Sequence, residues 1–220
     1  MHIMEGFLPL EWCIFWYLLS APFVLWGIMQ TGKLFALKPQ QKILLAVSGA
    51  FIFVLSSLKL PSITGSSSHP TGTGLASILY GPGISAFLAA IVLVFQALLL
   101  AHGGITTLGA DIFSMGIMGP LVAWLVFKGS AKLNIGWKVR IFAAALLSDW
   151  ITYLVTSLQL ALAYPGASLV QSYMTFASVF ALTQIPLAIA EGILFLVFFD
   201  FLRRAKPKML AELCGEEFAK

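Results

Sequence analysis

Long apolar runs separated by short polar connections make up most of this sequence. An α-helix needs about 20 apolar residues to cross a hydrocarbon core of about 30 Å. Six runs reach or approach this length: residues 12–30, 42–58, 83–101, 108–127, 140–164 and about 170–202. Pro186 lies within the last run and predicts a kink there. Such runs predict membrane helices, because a helix satisfies its own backbone hydrogen bonds in lipid.

The composition supports lipid as the main solvent of the chain. Only 10% of the residues are charged and 60% are hydrophobic, whereas about 25% are charged in a typical soluble domain. The net charge of +4 comes from short cationic clusters between the apolar runs. There is no aromatic-interleaved basic groove, so no nucleic-acid partner is expected. Cys13 lies in an apolar run and Cys214 in the polar tail, which predicts no disulfide.

A short apolar segment, residues 69–81, decides the predicted topology. If it crosses the bilayer and the N-terminus lies outside, all Lys and Arg residues except Lys59 fall inside. Without this crossing, the cations between residues 128 and 140 would move outside and break the positive-inside rule. The sequence therefore predicts one all-α membrane domain, residues 1–220, with seven transmembrane helices, an external N-terminus and a cytoplasmic C-terminus. Other helices must shield the short crossing.

All three histidines fall on the outer side in this topology: His2, His69 and His102. Histidine is the most common metal ligand in proteins, although a lone histidine in a loop is usually only solvated. Residues 1–11 contain two acids and no Lys or Arg, which is the reverse of a signal peptide, so Met1 is expected to remain. Three histidines on one face, one of them beside the terminal amine, favour a metal site.

The Met1-His2 pair has a specific chelating chemistry. The terminal amine, the His2 amide nitrogen and the His2 imidazole close a five-membered and then a six-membered ring around one ion. His69 is the obvious fourth nitrogen donor, because residues 65–70 form a flexible approach that ends in a stiff proline. A planar set of four nitrogens suits nickel(II) or copper(II) and is attainable by cobalt(II). Protons compete with the ion, so acidification should weaken binding.

Two acids lie inside predicted spans, Asp149 and Glu191. Such residues are expensive in lipid and face the protein interior. A stand-alone proton-coupled carrier would use them as a relay, whereas hydrogen bonding between helices is the interpretation we favour. A membrane metalloenzyme would need an H-E-x-x-H helix or a water-activating cluster, and the sequence has neither. We therefore expect no enzyme activity and no resident cofactor.

Three ordered motifs carry a family resemblance. Residues 1–9, Met-His-Ile-Met-Glu-Gly-Phe-Leu-Pro, are similar to the N-terminus of the CbiM/NikM family, the substrate-binding components of energy-coupling-factor importers for cobalt and nickel. Residues 69–74 resemble the second family motif, and residues 101–110 with 113–120 resemble the third. Asp111 stands where the family usually has Asn. The resemblance extends through essentially the whole chain.

The resemblance implies a six-helix substrate-binding fold with one extra N-terminal helix, and an N-terminus that inserts into the protein. It places Met1, His2 and His69 around the metal. Asp111 is expected to support the ligands. His102 has three open interpretations: it approaches the metal, supports a ligand, or caps the fourth helix.

The family also implies partners and a cargo. The partners are a membrane coupling (T) subunit, paired ATPases and a small two-span accessory subunit. The sequence has no G-x-x-x-x-G-K-[ST] phosphate loop, so the ATPases must supply ATP hydrolysis. The overall resemblance favours the cobalt branch, with Co2+ imported for cobalamin synthesis across the bacterial inner (plasma) membrane. Ni2+ is the alternative cargo.

Overall fold

The apolar runs become helices with nearly the predicted bounds. The computed structural model describes residues 2–61, 66–133 and 135–218. Its helices are α1 (Leu10–Leu37), α2 (Gln41–Ser57), α3 (Thr73–Tyr80), α4 (Pro82–Leu100), α5 (Leu108–Asp111), a π-helix (Ile112–Met118), α6 (Gly119–Ala131), α7 (Trp137–Ala163), α8 (Leu169–Ala205), α9 (Pro207–Cys214) and a 3-10 turn (Glu216–Phe218). Helix α8 continues through Pro186.

Five helical stretches within the described residues are long and apolar enough to cross a bilayer: α1, α4, the continuous stretch Leu108–Ala131, α7 and α8. Helix α2 is apolar but has 17 residues. Helix α3 has only eight residues, which corresponds to about 12 Å of helix. The chain is thus a multi-pass membrane protein, while the count of seven crossings and the orientation remain predictions.

Polar side chains lie inside the bundle and apolar ones cover its outside. Gln96, Asp149 and Gln184 are fully buried, whereas Leu18 and Leu182 are 71% and 81% exposed. A water-soluble protein shows the opposite arrangement, because apolar burial drives its folding. Here the exposed apolar residues are suited to lipid, and the buried polar residues hold the helices together.

Glycines let the N-terminal helix approach the bundle closely. A Cβ atom on Gly27 of α1 would lie 2.2 Å from the carbonyl oxygen of Gly83 in α4. A Cβ on Gly109 of α5 would lie 2.5 Å from the backbone nitrogen of Tyr17, and the Ser20 hydroxyl donates to the Gly109 carbonyl at 2.8 Å. Helix α1 therefore packs backbone to backbone on α4 and α5, which fixes the position of the chain start.

The two ends of the bundle differ in their contacts. At one end the C-terminal segment is held by ion pairs from Lys38 to Glu212 and from Arg140 to Glu217. At the other end, the Tyr164 hydroxyl at the end of α7 donates to the carbonyl of Phe7. Because α7 joins these ends, the N-terminal segment and the C-terminal helix lie on opposite ends.

The fold is mostly helical, as predicted, with one small sheet that the sequence did not predict. Strands β1 (His2–Ile3), β2 (Leu60–Pro61) and β3 (Ser66–Ser68) form an antiparallel sheet in the order β1-β3-β2. The prediction that residues 66–68 form a flexible approach is wrong, because β3 is the buried central strand. Paired on both sides, its backbone groups are fixed rather than mobile.

Candidate metal centre

Strand pairing brings the N-terminus next to the second motif. In the antiparallel register His2 lies opposite Ser67, and Ile3 opposite Ser66. His69 follows β3 directly. The two histidines are 67 residues apart in the sequence, and the sheet is what places them side by side.

The N-terminal strand β1 is also hydrogen-bonded to α5 and to the turn that precedes α5. The Ile3 N–H donates to Oδ1 of Asp111 at 2.8 Å. The Ile3 carbonyl accepts from the Thr107 hydroxyl at 2.7 Å, and the Ile3 side chain is fully buried. Asp111, which was predicted to support the metal ligands, thus contacts Ile3, the residue after His2. An asparagine at this position keeps an oxygen that can accept the same bond.

Glu5 provides a second anchor for the N-terminal segment. Its carboxylate accepts from the Thr106 hydroxyl at 2.5 Å and from the Thr106 N–H at 3.1 Å. These hydrogen bonds lower the pKa of Glu5. A Cβ on Gly104 would lie 2.5 Å from the Glu5 Cα. The chain therefore passes closely over the turn after α4.

The imidazoles of His2, His69 and His102 form one buried group, here called the histidine cluster. Nδ1 of His2 lies 2.5 Å from Nε2 of His69. One ring nitrogen from each histidine can be chosen so that all three lie within 4.8 Å of one another. The three residues are exposed by only 2% or less, and the ring centroids of His2 and His102 are 4.1 Å apart. His102, left open by the sequence, is part of the cluster.

Hydrogen bonds fix the orientation of the His69 and His102 rings. Nδ1 of His69 lies 2.9 Å from the Pro70 carbonyl oxygen. Since a carbonyl only accepts, Nδ1 carries the proton and Nε2 keeps the lone pair that faces His2. Nε2 of His102 shares a hydrogen bond of 2.6 Å with the Ser67 hydroxyl on β3. Its Nδ1 has no hydrogen-bond partner among the described residues.

Burial keeps the cluster uncharged. It lowers the pKa of His2, and the neighbouring imidazoles of His69 and His102 lower it further, while the Gln96 side chain acts in the opposite direction. Burial also lowers the pKa of His69 and brings that of His102 to about 3. At neutral pH the three rings are therefore neutral, which is the form that binds metals.

Gly103 closes the cluster on one side. Its φ is +77°, a conformation that disfavours any side chain. An added Cβ would lie 2.9 Å from Cδ2 of His2 and 3.1 Å from Oδ2 of Asp111. We assigned no role to Gly103 from the sequence. Its position directly after His102 is the sequence feature that could have indicated a role beside the histidines.

The two acids within the predicted spans have different environments. Both are fully buried. Glu191 accepts hydrogen bonds from Thr71 and Gly72, just after His69. Asp149 has no hydrogen-bond partner for either oxygen among the described residues. Glu191 is hydrogen-bonded as the structural interpretation predicts, but to the segment before α3 rather than to a helix. The predicted hydrogen bonds of Asp149 are not found among the described residues. Met1, a predicted ligand, lies outside the described residues.

Solved structures share the fold of this helical bundle. The chain superposes on a truncated transition metal transporter with a TM-score of 0.82 and 22% identity, covering 93% of this chain and 99% of that one. A transition metal transporter gives a TM-score of 0.83 and 21% identity, covering 96% and 97%.

Sequence comparison gives the family. Residues 2–209 match CbiM, the cobalt uptake substrate-specific transmembrane region. The chain is 57% identical over 214 residues to a putative cobalt transport protein CbiM of Methanococcus voltae, covering 97% of this chain and 96% of that protein. It is 59% identical over 204 residues to a cobalt transport protein CbiM of Carboxydothermus hydrogenoformans, covering 93% and 84%. This chain belongs to the CbiM family and is a membrane component of metal transport, so the family resemblance is confirmed.

Proposed function

We propose that this protein is the substrate-binding transmembrane subunit of an ATP-driven energy-coupling-factor importer, and that it captures Co2+ from the outer face for cobalamin synthesis. The observation that carries the proposal is the close approach of His2 Nδ1 and His69 Nε2, 2.5 Å apart in a buried site. Membership of a family described by cobalt uptake supports the choice of ion.

The nitrogen positions fit adjacent corners of one metal ion. Imidazole nitrogens bind zinc at about 2.0–2.1 Å, and two such bonds at a right angle separate the nitrogens by about 2.9 Å. The observed separation is a few tenths of an ångström shorter, which a small ring rotation corrects. Nδ1 is also the His2 nitrogen that closes a six-membered chelate ring with the His2 amide. In our proposal the Met1 amine and this amide complete a set of four nitrogens.

His102 and Asp111 support this site in the proposal. His102 packs on the His2 ring and bonds β3 through Ser67. Asp111 holds the backbone beside His2. Neither residue needs to bind the ion for these contacts to matter, because ligand orientation depends on the groups that hold the ligands.

The proposed topology has seven crossings, with the histidine cluster at the outer face of a bacterial inner membrane. The contacts at the two ends of the bundle support it, since the cationic residues Lys38 and Arg140 lie at the end opposite the cluster. A coupling subunit, paired ATPases and a two-span accessory subunit complete the proposed importer.

Nickel is the alternative cargo, and the ligand chemistry favours it. Four nitrogens with no thiolate bind Ni2+ more tightly than Co2+ in the Irving–Williams order. Parallel titrations of the purified protein with both ions rank them directly. Because intrinsic affinity favours Ni2+ at any such site, uptake decides the cargo: cells that carry the complete system and receive equal Co2+ and Ni2+ should accumulate Co2+, and preferential accumulation of Ni2+ would assign the protein to nickel import.

The decisive experiment adds one residue before Met1. This variant keeps every side chain but moves the free amine out of register with His2. The control carries the same extra residue after Lys220. We expect Co2+ binding to be lost in the first variant and kept in the second. His69→Ala should also weaken binding severely while the helices stay folded. Equal binding by both extended variants would reject the terminal amine as a ligand.

A stand-alone proton-coupled carrier predicts different transport behaviour. Uptake of Co2+ by that mechanism would continue after inactivation of the ATPases and would fail in Asp149→Asn. The importer proposed here requires uptake to stop with the ATPases inactive. Cells that carry the complete system and an ATPase-inactive version of it provide the comparison.

A further inference from the structure

The segment that carries His69 is neither helix nor strand between the end of β3 and the start of α3. Residues 69–72 are all buried. Buried backbone N–H groups need hydrogen-bond partners, and irregular backbone at membrane depth occurs only where the protein supplies them. Pro70 has no N–H, and His69 follows β3 directly, which leaves the N–H groups of Thr71 and Gly72 as the donors farthest from the sheet.

A single side chain of α8 satisfies both donors. Oε2 of Glu191 accepts from the Thr71 N–H at 2.5 Å, and Oε1 accepts from the Gly72 N–H at 2.9 Å. The Thr71 hydroxyl adds a third bond to Oε1 at 3.0 Å. A carboxylate has two accepting oxygens and no donor, which matches a site of three donors.

Helix α8 also contacts the residues where β3 ends and the segment begins. The Thr183 hydroxyl donates to the Ser68 hydroxyl at 2.7 Å, and Nε2 of Gln184 donates to the His69 carbonyl at 3.5 Å. On the opposite side, a Cβ on Gly72 would lie 3.0 Å from the Cα of Ile52 in α2. The segment is thus fixed between α8 and α2.

The position of the segment sets the position of the His69 ring. Because Nδ1 of His69 donates to the Pro70 carbonyl, a shift of residues 70–72 moves the ring with it. Nε2 of the same ring faces His2. A continuous chain of bonds therefore runs from Glu191 to the nitrogen that meets the ion.

We propose that Glu191 is a positioning residue for ion capture, which holds His69 in register with His2 through the backbone of Thr71 and Gly72. This inference rests on the proposed function, since it requires His69 to bind the ion. Glu191 does not contact the ion itself. Glutamine cannot replace it, because its amide nitrogen would face one of the two backbone donors.

Asp149 provides a matched control on the neighbouring helix α7. It is also a fully buried acid, and no hydrogen bond joins it to residues 69–72 among the described residues. Asp149→Asn removes a buried carboxylate without touching the segment. A comparison of the two variants therefore separates the hydrogen bonds of Glu191 from the general effect of replacing a buried acid in this part of the bundle.

The experiment titrates the purified full-length protein in detergent with Co2+ and with Cu2+, monitored by visible absorption. We expect Glu191→Gln to weaken Co2+ binding at least tenfold and to shift the Cu2+ absorption band, because the ligand geometry changes. Asp149→Asn should bind within twofold of wild type with an unchanged band. In a His69→Ala background, Glu191→Gln should cause no further loss of Cu2+ affinity.

Each contrary result overturns the inference. Wild-type affinity in Glu191→Gln would show that the bonds do not position His69. Equal losses in both acid variants would assign the effect to the replacement of any buried acid, and a loss that persists in His69→Ala would assign it to the fold. If Glu191→Gln does not fold, Thr71→Val serves instead: it removes one of the three bonds and should weaken binding about two- to fivefold, while Thr71→Ser restores it. A wild-type protein that binds no metal would refute the proposed function itself, and with it the role of Glu191.

Discussion

The substitution Gly103→Ala tests the histidine cluster most directly. The new methyl group would lie 2.9 Å from Cδ2 of His2, whereas carbon atoms in contact sit about 3.5–4.0 Å apart. The His2 ring must therefore retreat by roughly 0.6–1 Å. A metal site tolerates deviations of only about 0.2 Å in its ligand distances.

The size of the effect follows from two costs. A left-handed backbone costs a residue other than glycine roughly 1–2 kcal/mol, and an extra methyl group in a packed core costs about 1–3 kcal/mol. If about 1.4–2.8 kcal/mol of this total cost is lost from the free energy of Co2+ binding, Co2+ binds roughly ten- to a hundredfold more weakly. Calorimetric titration of the protein in detergent measures this loss.

Gly81→Ala is the matched control for Gly103→Ala. Gly81 has a φ of +89°, yet nothing lies within 4 Å of an added Cβ. This variant should lower the unfolding temperature, because its backbone conformation suits only glycine. Its Co2+ affinity should stay within about twofold of wild type. A folded Gly103→Ala protein with wild-type affinity would refute the placement of His2 against Gly103.

Three further predictions concern the support of the site, its protonation and the opposite end of the bundle. Asp111→Ala should weaken Co2+ binding about tenfold, because it leaves the buried N–H of Ile3 unpaired at a cost of roughly 1–3 kcal/mol. Asp111→Asn should bind Co2+ within about threefold of wild type. Calorimetric titration measures both affinities. Because burial lowers the pKa values of the cluster, its imidazoles are already deprotonated well below their usual pKa of about 6.5. Titrations between pH 6 and 8 should therefore show no break near 6.5. Arg140→Lys loses two hydrogen bonds to the Phe127 carbonyl and should destabilise the fold by about 2 kcal/mol with unchanged metal affinity, measured by thermal unfolding.

Each of these three experiments has one result that would contradict the structure. Equal affinities for the alanine and asparagine variants would show that the bond to Ile3 does not support the site. A break in the binding curve near pH 6.5 would mean that the imidazoles are solvated and charged. Loss of metal binding in Arg140→Lys, with the helices intact, would mean that the two ends of the bundle are coupled.

The sequence predicts the helices well because each helix that crosses lipid needs about 20 apolar residues. The run at residues 42–58 differs by one residue at each end from α2 (Gln41–Ser57). The run at residues 12–30 is shorter than α1 (Leu10–Leu37), since Thr31, Gly32 and Lys33 interrupt the apolar run but not the helix. Hydropathy identifies the part of a helix in lipid and not its ends.

The site was less predictable, because its contacts join distant parts of the chain. Local chemistry and family resemblance point to His2 and His69. Neither predicts that residues 66–68 form a central strand, because three serines have low strand propensity and only pairing with β1 and β2 fixes them. The contact of Glu191 with Gly72 spans 119 residues and leaves no local pattern. Periodicity identifies an inward-facing acid, but not its partner.

In the function proposed above, the shortness of β1 sets how fast an ion reaches the buried cluster. The strand has two residues at the edge of the sheet, held by a few hydrogen bonds worth about 1 kcal/mol each. Withdrawal of the buried Ile3 side chain adds about 2 kcal/mol. A total of about 4–6 kcal/mol leaves the strand detached in roughly one molecule in a thousand to one in twenty-five thousand. Since the helices need not move, we expect this detachment to admit the ion and to slow its association by the same factor.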